Sequence, residues 1–232
     1  SKDENSLIEA EILNNIGIIH KLRGDFPRAL EYYNRSLLSK KRHLDAYDPS
    51  LANTYNNIGS LLQKTEDYKK AMTYFKQAIA IYEKNYGDDF SGLGKIFINM
   101  GIIYTRLDDY RQAENFLNRA LGVLSSESHA NEIAAVYNNL GNLYYYTEDY
   151  QKALDYYTLS VDIRENKNES FLSRSYSNYA RCYDQLGDVA RADLYHRKAI
   201  QSRLDDFGGS HYMLAGEYMN YGLFCINHER KD

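Results

Sequence analysis

Six histidines, two cysteines and a series of acid pairs are the residues of this chain suited to catalysis or metal binding, and their spacing argues against both. His20, His43, His129, His196, His211 and His228 form no HExxH pair and stand at no Cys/His ligand spacing. No oxyanion donors can be named beside Cys182 and His196, and Cys182 and Cys225 read as free, buried thiols. The stretch DDFSGLGK, ending at Lys95, has the cadence of a phosphate loop. Asp89, however, stands where that loop's first glycine belongs, and Ile96 follows the lysine in place of Ser or Thr. Acid pairs such as Asp108-Asp109 recur at each break between apolar stretches, where capping of a helix start explains them better than acid–base work. The expectation is a protein that is not an enzyme and uses neither cofactor nor metal.

One polar column repeats without exception. Asn15, Asn57, Asn99, Asn139, Asn178 and Asn220 each stand two residues before a small residue: Gly17, Gly59, Gly101, Gly141, Ala180 and Gly222. Asparagine is a mediocre helix former, so a column of it needs a reason. Its side chain carries both donor and acceptor, which matches the two polar groups of an extended peptide backbone. The competing reading is a hydrogen-bond ladder between helices that fixes their stacking.

The elements that position this column are helices. Residues 131–160 hold Ala134, Tyr137, Leu140, Gly141 and Tyr144 on one stripe, break at Thr147-Glu148-Asp149, and resume with Tyr150, Ala153, Tyr157 and Ser160. That recurrence calls for two amphipathic helices, each burying one face. Aligned on the small residues, the whole chain repeats this plan. Twelve residues on come Ala29, Ala71, Ala113, Ala153 and Ala192; sixteen on, Tyr33, Phe75, Leu117, Tyr157 and His196; nineteen on, Ser36, Ala78, Ala120, Ser160 and Ala199. A fixed period dictates a solenoid rather than one closed core. Five glycines inside helices cost about 1 kcal/mol each against alanine, so two backbones are expected to approach there, glycine column facing alanine column.

These columns resemble the tetratricopeptide (TPR) repeat over nearly the whole chain. The spacings of 42, 42, 40, 39 and 42 residues exceed the family's usual 34. Lead-ins such as YDPSLANTYNNIG and YGDDFSGLGKIFINMG resemble the long repeats of kinesin light chains, and similar arrays precede CHAT-type caspase-like domains in bacteria. The resemblance implies an all-α solenoid, a right-handed superhelix of antiparallel helix pairs with about eleven helices. The expected array spans 1–232, with repeats at about 6–44, 49–86, 91–124, 129–166 and 170–207 and a final half repeat at 212–228. It also implies that first helices line a concave groove in which the asparagines grip a peptide backbone. By the same alignment the groove holds Lys95, Asn138, Asn142, Tyr145, Arg174 and Arg181, with Asn56, Lys64, Arg106, Tyr146 and Asp184 beside them. The family's two-carboxylate clamp is broken: Asn142 and Asn178 match it, whereas Asn138, Gly216 and Asn220 do not.

Composition agrees with a helical array. Two prolines in 232 residues, Pro27 and Pro49, leave the helices uninterrupted. A formal charge of −4 without a basic block argues against nucleic-acid binding. No apolar stretch of membrane-spanning length and no signal peptide is visible, so the expected location is the cytoplasm. The half repeat leaves an open helix, through which weak homo-oligomers or a continuing natural chain are expected; otherwise the protein is a monomer. The leading functional reading is a non-enzymatic scaffold for a protein or an extended, acidic peptide. The runner-up is the sensor or regulatory module of a longer bacterial enzyme such as a CHAT-type protease.

Overall fold

The computed structural model describes residues 2–124, 127–166, 172–207 and 213–229. These hold eleven α-helices and no strand. The chain divides into two compact units, Ser1–Ser125 and Ser126–Asp232. The first contains α1 (Lys2–Leu22), α2 (Phe26–His43), α3 (Pro49–Lys64), α4 (Tyr68–Tyr86), α5 (Gly94–Arg106) and α6 (Tyr110–Val123). The second contains α7 (Ala130–Tyr146), α8 (Tyr150–Asn166), α9 (Ser173–Gln185), α10 (Val189–Phe207) and α11 (Met213–Glu229). Single 3-10 turns at Ser91–Leu93 and Glu127–His129 lead into α5 and α7. His211, Tyr212 and the start of the fifth repeat at Ser170 lie outside the described residues.

Helices pair within each repeat because one short turn both stops the first helix and starts the second. Gly24, Glu66, Asp108, Glu148 and Gly187 occupy that turn with φ of 79, 62, 58, 64 and 76°, the left-handed conformation that ends helices. The next residue is always aspartate. The amides of Asp25, Asp67, Asp109, Asp149 and Asp188 donate to the carbonyl five residues back at 2.9–3.0 Å. Their carboxylates then accept the amide three residues ahead, at 3.3, 3.3, 3.1, 3.2 and 3.0 Å. The second acid of each pair is the cap, as the sequence suggested, and the first is the left-handed turn residue.

The glycine column faces a different partner from the one expected. A Cβ on Gly17 would lie 2.6 Å from the Tyr33 ring, on Gly59 2.7 Å from Phe75, on Gly101 2.7 Å from Leu117 and on Gly141 2.4 Å from Tyr157. Glycine therefore receives the large side chain sixteen residues on, and the proposed pairing of glycine with alanine is corrected. Ala29, Ala71, Ala113, Ala153 and Ala192 are nonetheless fully buried. A second aromatic layer lies beside the first: His20 on Tyr32, Tyr104 on Phe116, Tyr144 on Tyr156 and Tyr183 on Tyr195 stack at 5.3–5.5 Å. Ser36 and Ser160 donate to Ala10 and Ala134 carbonyls at 2.7 Å, tying second helix to first.

Candidate peptide-binding faces

In the first unit the first helices of successive repeats, α1, α3 and α5, present the asparagine column; in the second unit α7, α9 and α11 do so. Asn57 donates from Nδ2 to Oδ1 of Asn14 at 3.1 Å. Asn178 does the same to Asn138, also at 3.1 Å. Each rung thus joins a column asparagine to the residue before the column asparagine of the preceding repeat. The equivalent acceptor for Asn99 is Asn56, whose Oδ1 is buried without a partner. Asn139 instead bonds along its own helix, to the Ala135 carbonyl at 2.9 Å.

The column is therefore heterogeneous in exposure. Asn15 and Asn220 are exposed, Asn57, Asn99 and Asn139 half-buried, and Asn178 is only 7% exposed. Each rung uses one amide hydrogen, leaving the second hydrogen and the oxygen of Asn57 without a further bond. Gln63 reaches the Asn99 carbonyl at 3.3 Å and Lys21 reaches Ser60 at 3.3 Å, so other polar groups bridge the same helices.

The remaining sequence-predicted residues fall into two groups. Arg181 lies over the Tyr145 ring at 4.1 Å, a cation–π contact joining α9 to α7. Asn142 accepts from the Tyr157 hydroxyl at 2.9 Å, which satisfies a phenol whose ionisation burial strongly opposes. Lys95 and Arg174 stand exposed on α5 and α9.

Several buried or half-buried polar residues escaped sequence reasoning. Lys40 is 1% exposed, and its ammonium meets Glu11 at 2.7 Å and Ser50 O and Thr54 Oγ1 at 3.1 Å each. Arg203 pairs with Glu217 at 3.0 Å, and Ser173 donates to the same carboxylate at 2.7 Å, anchoring α11 on α9 and α10. Lys40, Arg164 and Arg203 share one aligned column, a signal available in the sequence. Asn14, the partner of Asn57, was also missed; the Asn-Asn doublets at 14–15, 56–57 and 138–139 announce it.

Cys182 and His196 are turned to packing, whereas Cys225 is half-buried. Burial pushes the Cys182 thiol up to about 12, and both cysteines are free. Burial holds His196 below the usual histidine range, against Tyr221 and Phe224. Among the described residues no group of three His, Cys, Asp or Glu could hold a metal ion, and no helix is long and apolar enough to cross a membrane.

Family models described as tetratricopeptide repeat match residues 10–49, 50–126 and 132–205. The chain belongs to the tetratricopeptide repeat family. Solved TPR-like structures agree on the fold. BtubC (BKLC) from P. vanneervenii is 24% identical with a TM-score of 0.72, over 90% of this chain and 91% of that one. A Rap protein, solved in complex with competence and sporulation factor, is 20% identical with a TM-score of 0.77. This TPR chain is 97% covered in that comparison and spans 59% of the Rap protein. A putative kinesin light chain of P. anserina is 14% identical with a TM-score of 0.65, over 86% of this chain and 97% of that one. No curated protein matches the sequence.

Proposed function

We propose that this TPR protein is a non-enzymatic scaffold that holds an extended peptide against the first-helix face of its units. The supporting observation is the asparagine column itself: half-buried amides on neighbouring helices, each rung leaving an unused donor and acceptor. Such a face presents paired polar groups at repeated intervals, which suits main chain better than any one side chain. In the first unit Asn57 and Asn99 are the primary contacts and Asn15 is exposed; in the second unit Asn139 is the primary contact, Asn220 is exposed, and Asn178 chiefly supports Asn138. The neighbouring Asn138 and Asn142 are held by Asn178 and Tyr157 and shape the floor. Arg174, Arg181 and Lys95 give the ligand an acidic preference, and Tyr145 offers an aromatic platform. The Rap protein is held in its structure with competence and sporulation factor, and the reading extends the binding of a partner factor to this chain.

The experiment separates grip from stacking. Binders are selected from a displayed library of random extended peptides and titrated against variants by fluorescence anisotropy. Asn99→Ala with Asn139→Ala, one in each unit and neither breaking a bond between helices, should weaken binding about fivefold at whichever unit holds the peptide, at about 1 kcal/mol per lost hydrogen bond, with little change in melting. Unchanged affinity in that double variant contradicts the reading.

A further inference from the structure

We propose that the hollow beside α1 in the first unit is a binding site for a basic, apolar peptide segment, a bulky aliphatic residue next to an arginine or lysine. The inference rests on the peptide-binding reading and names the chemistry of one stretch of the ligand. The hollow has a volume of about 530 Å³, within the range of sites that take small ligands. Its wall is apolar: Leu7, Ile8 and Ile12 of α1 and Leu44 after α2 line it. Ile8 and Ile12 are 55% and 52% exposed, so two large aliphatic side chains stand in water at its rim.

The charges decide what enters. Lys40 lines the hollow, but its ammonium is turned inward and shared among Glu11, Ser50 and Thr54. It offers no free donor to an anion. Glu11 is itself 55% exposed on its side chain, leaving its second oxygen toward solvent. Asp48 also lines the hollow and uses Oδ1 to cap α3 through the Ser50 amide at 2.8 Å, which leaves Oδ2 for a ligand. Two carboxylates against one committed ammonium make the hollow acidic, and a guanidinium or ammonium complements it. The Ser50 hydroxyl is buried without a partner, a polar group placed to meet peptide backbone. Asn15 reaches the same hollow, so the hollow opens onto the face that carries the asparagine column.

The test uses the full chain with isoleucine δ-methyls labelled for NMR and two synthetic peptides, Gly-Ser-Leu-Arg-Leu-Ser-Gly and its counterpart with Glu in place of Arg. The Arg peptide should shift the Ile8 and Ile12 methyls saturably, weaken with added salt, and bind at least tenfold more tightly than the Glu peptide. Asp48→Asn keeps the helix cap and should weaken the Arg peptide several-fold. Ile12→Lys, at an exposed position, should abolish the shift at Ile8. Equal binding of the two peptides overturns the inference, as does an Asp48→Asn variant that binds like the parent. Shifts confined to Ile98 and Ile102 on α5 overturn this site while leaving the peptide-binding reading intact. Absence of shifts at every isoleucine overturns the site, whereas the reading itself is tested separately by the library-selected peptides.

Discussion

The turn between paired helices offers a perturbation whose size follows from backbone conformation alone. Gly187 sits at φ 76°, and a Cβ built on it meets nothing within 4 Å. Gly187→Ala therefore changes no packing and isolates the cost of placing an L-residue in the left-handed region, roughly 1–2 kcal/mol. Glycine's greater freedom in the unfolded chain returns roughly 0.5–1 kcal/mol of that. The net loss is about 1 kcal/mol. Glu148 is the mirror case: it holds φ 64° with an exposed side chain, so Glu148→Gly should gain stability by a similar amount. Because repeats couple mainly to their neighbours, the effect is read locally. Hydrogen exchange at the Ala192 amide, bonded to the Asp188 carbonyl at 2.9 Å, should accelerate in Gly187→Ala. Exchange at the Ala153 amide, bonded to Asp149 at 2.9 Å, should slow in Glu148→Gly. A neutral Gly187→Ala together with a destabilising Glu148→Gly would refute the reasoning, because side-chain contacts would then outweigh the backbone term.

Gly59→Ala should destabilise by about 1–3 kcal/mol through overpacking against Phe75, and Phe75→Val should relieve most of that loss in a double-mutant cycle read by urea denaturation. Asn178→Ala removes a hydrogen bond to the half-buried Asn138 oxygen and should cost about 1 kcal/mol; a melting temperature equal to the parent's would remove the stacking role. Burial raises Cys182, Tyr33 and Tyr179, each to about 12. A raised folded value means that their contribution is fully present below the unfolded values near 9–10 and is lost as pH rises toward 12. Stability should thus fall on the alkaline side above about pH 9, and Cys182 should resist iodoacetamide at pH 8 until the second unit unfolds. Stability that stays flat to pH 11 would contradict the burial of these groups.

Most of the fold was legible because its signals are columnar. The aspartate that caps each second helix and the residue before it in the left-handed turn recur at a fixed distance from Gly17, Gly59, Gly101, Gly141 and Ala180. What spacing could not choose was which column fills the space above each glycine. Ala71 and Phe75 lie one helical turn apart on the same face of α4, both at 0% exposure, so periodicity assigns both to the core and ranks neither. The column of Lys40, Arg164 and Arg203 marks a special position, but the burial of Lys40 was opaque for another reason. A lysine reads as solvated unless its acceptors are known, and Glu11, Ser50 and Thr54 come from two other helices. The asparagine column was visible at once, yet its division into rungs and unused amides depends on side-chain direction. Asn178 turns to Asn138 while Asn139, at the same aligned position, turns to its own helix.

The central claim, that first-helix asparagines hold a peptide by its main chain, is tested most directly on the ligand. A library-selected peptide is resynthesised with one backbone amide methylated at a time, and each version is titrated against the unmodified chain. The account predicts that methylation at alternate residues weakens binding about fivefold, because a donor to an asparagine oxygen is removed each time. Full affinity for every methylated peptide, with binding lost only on side-chain truncation, would contradict it.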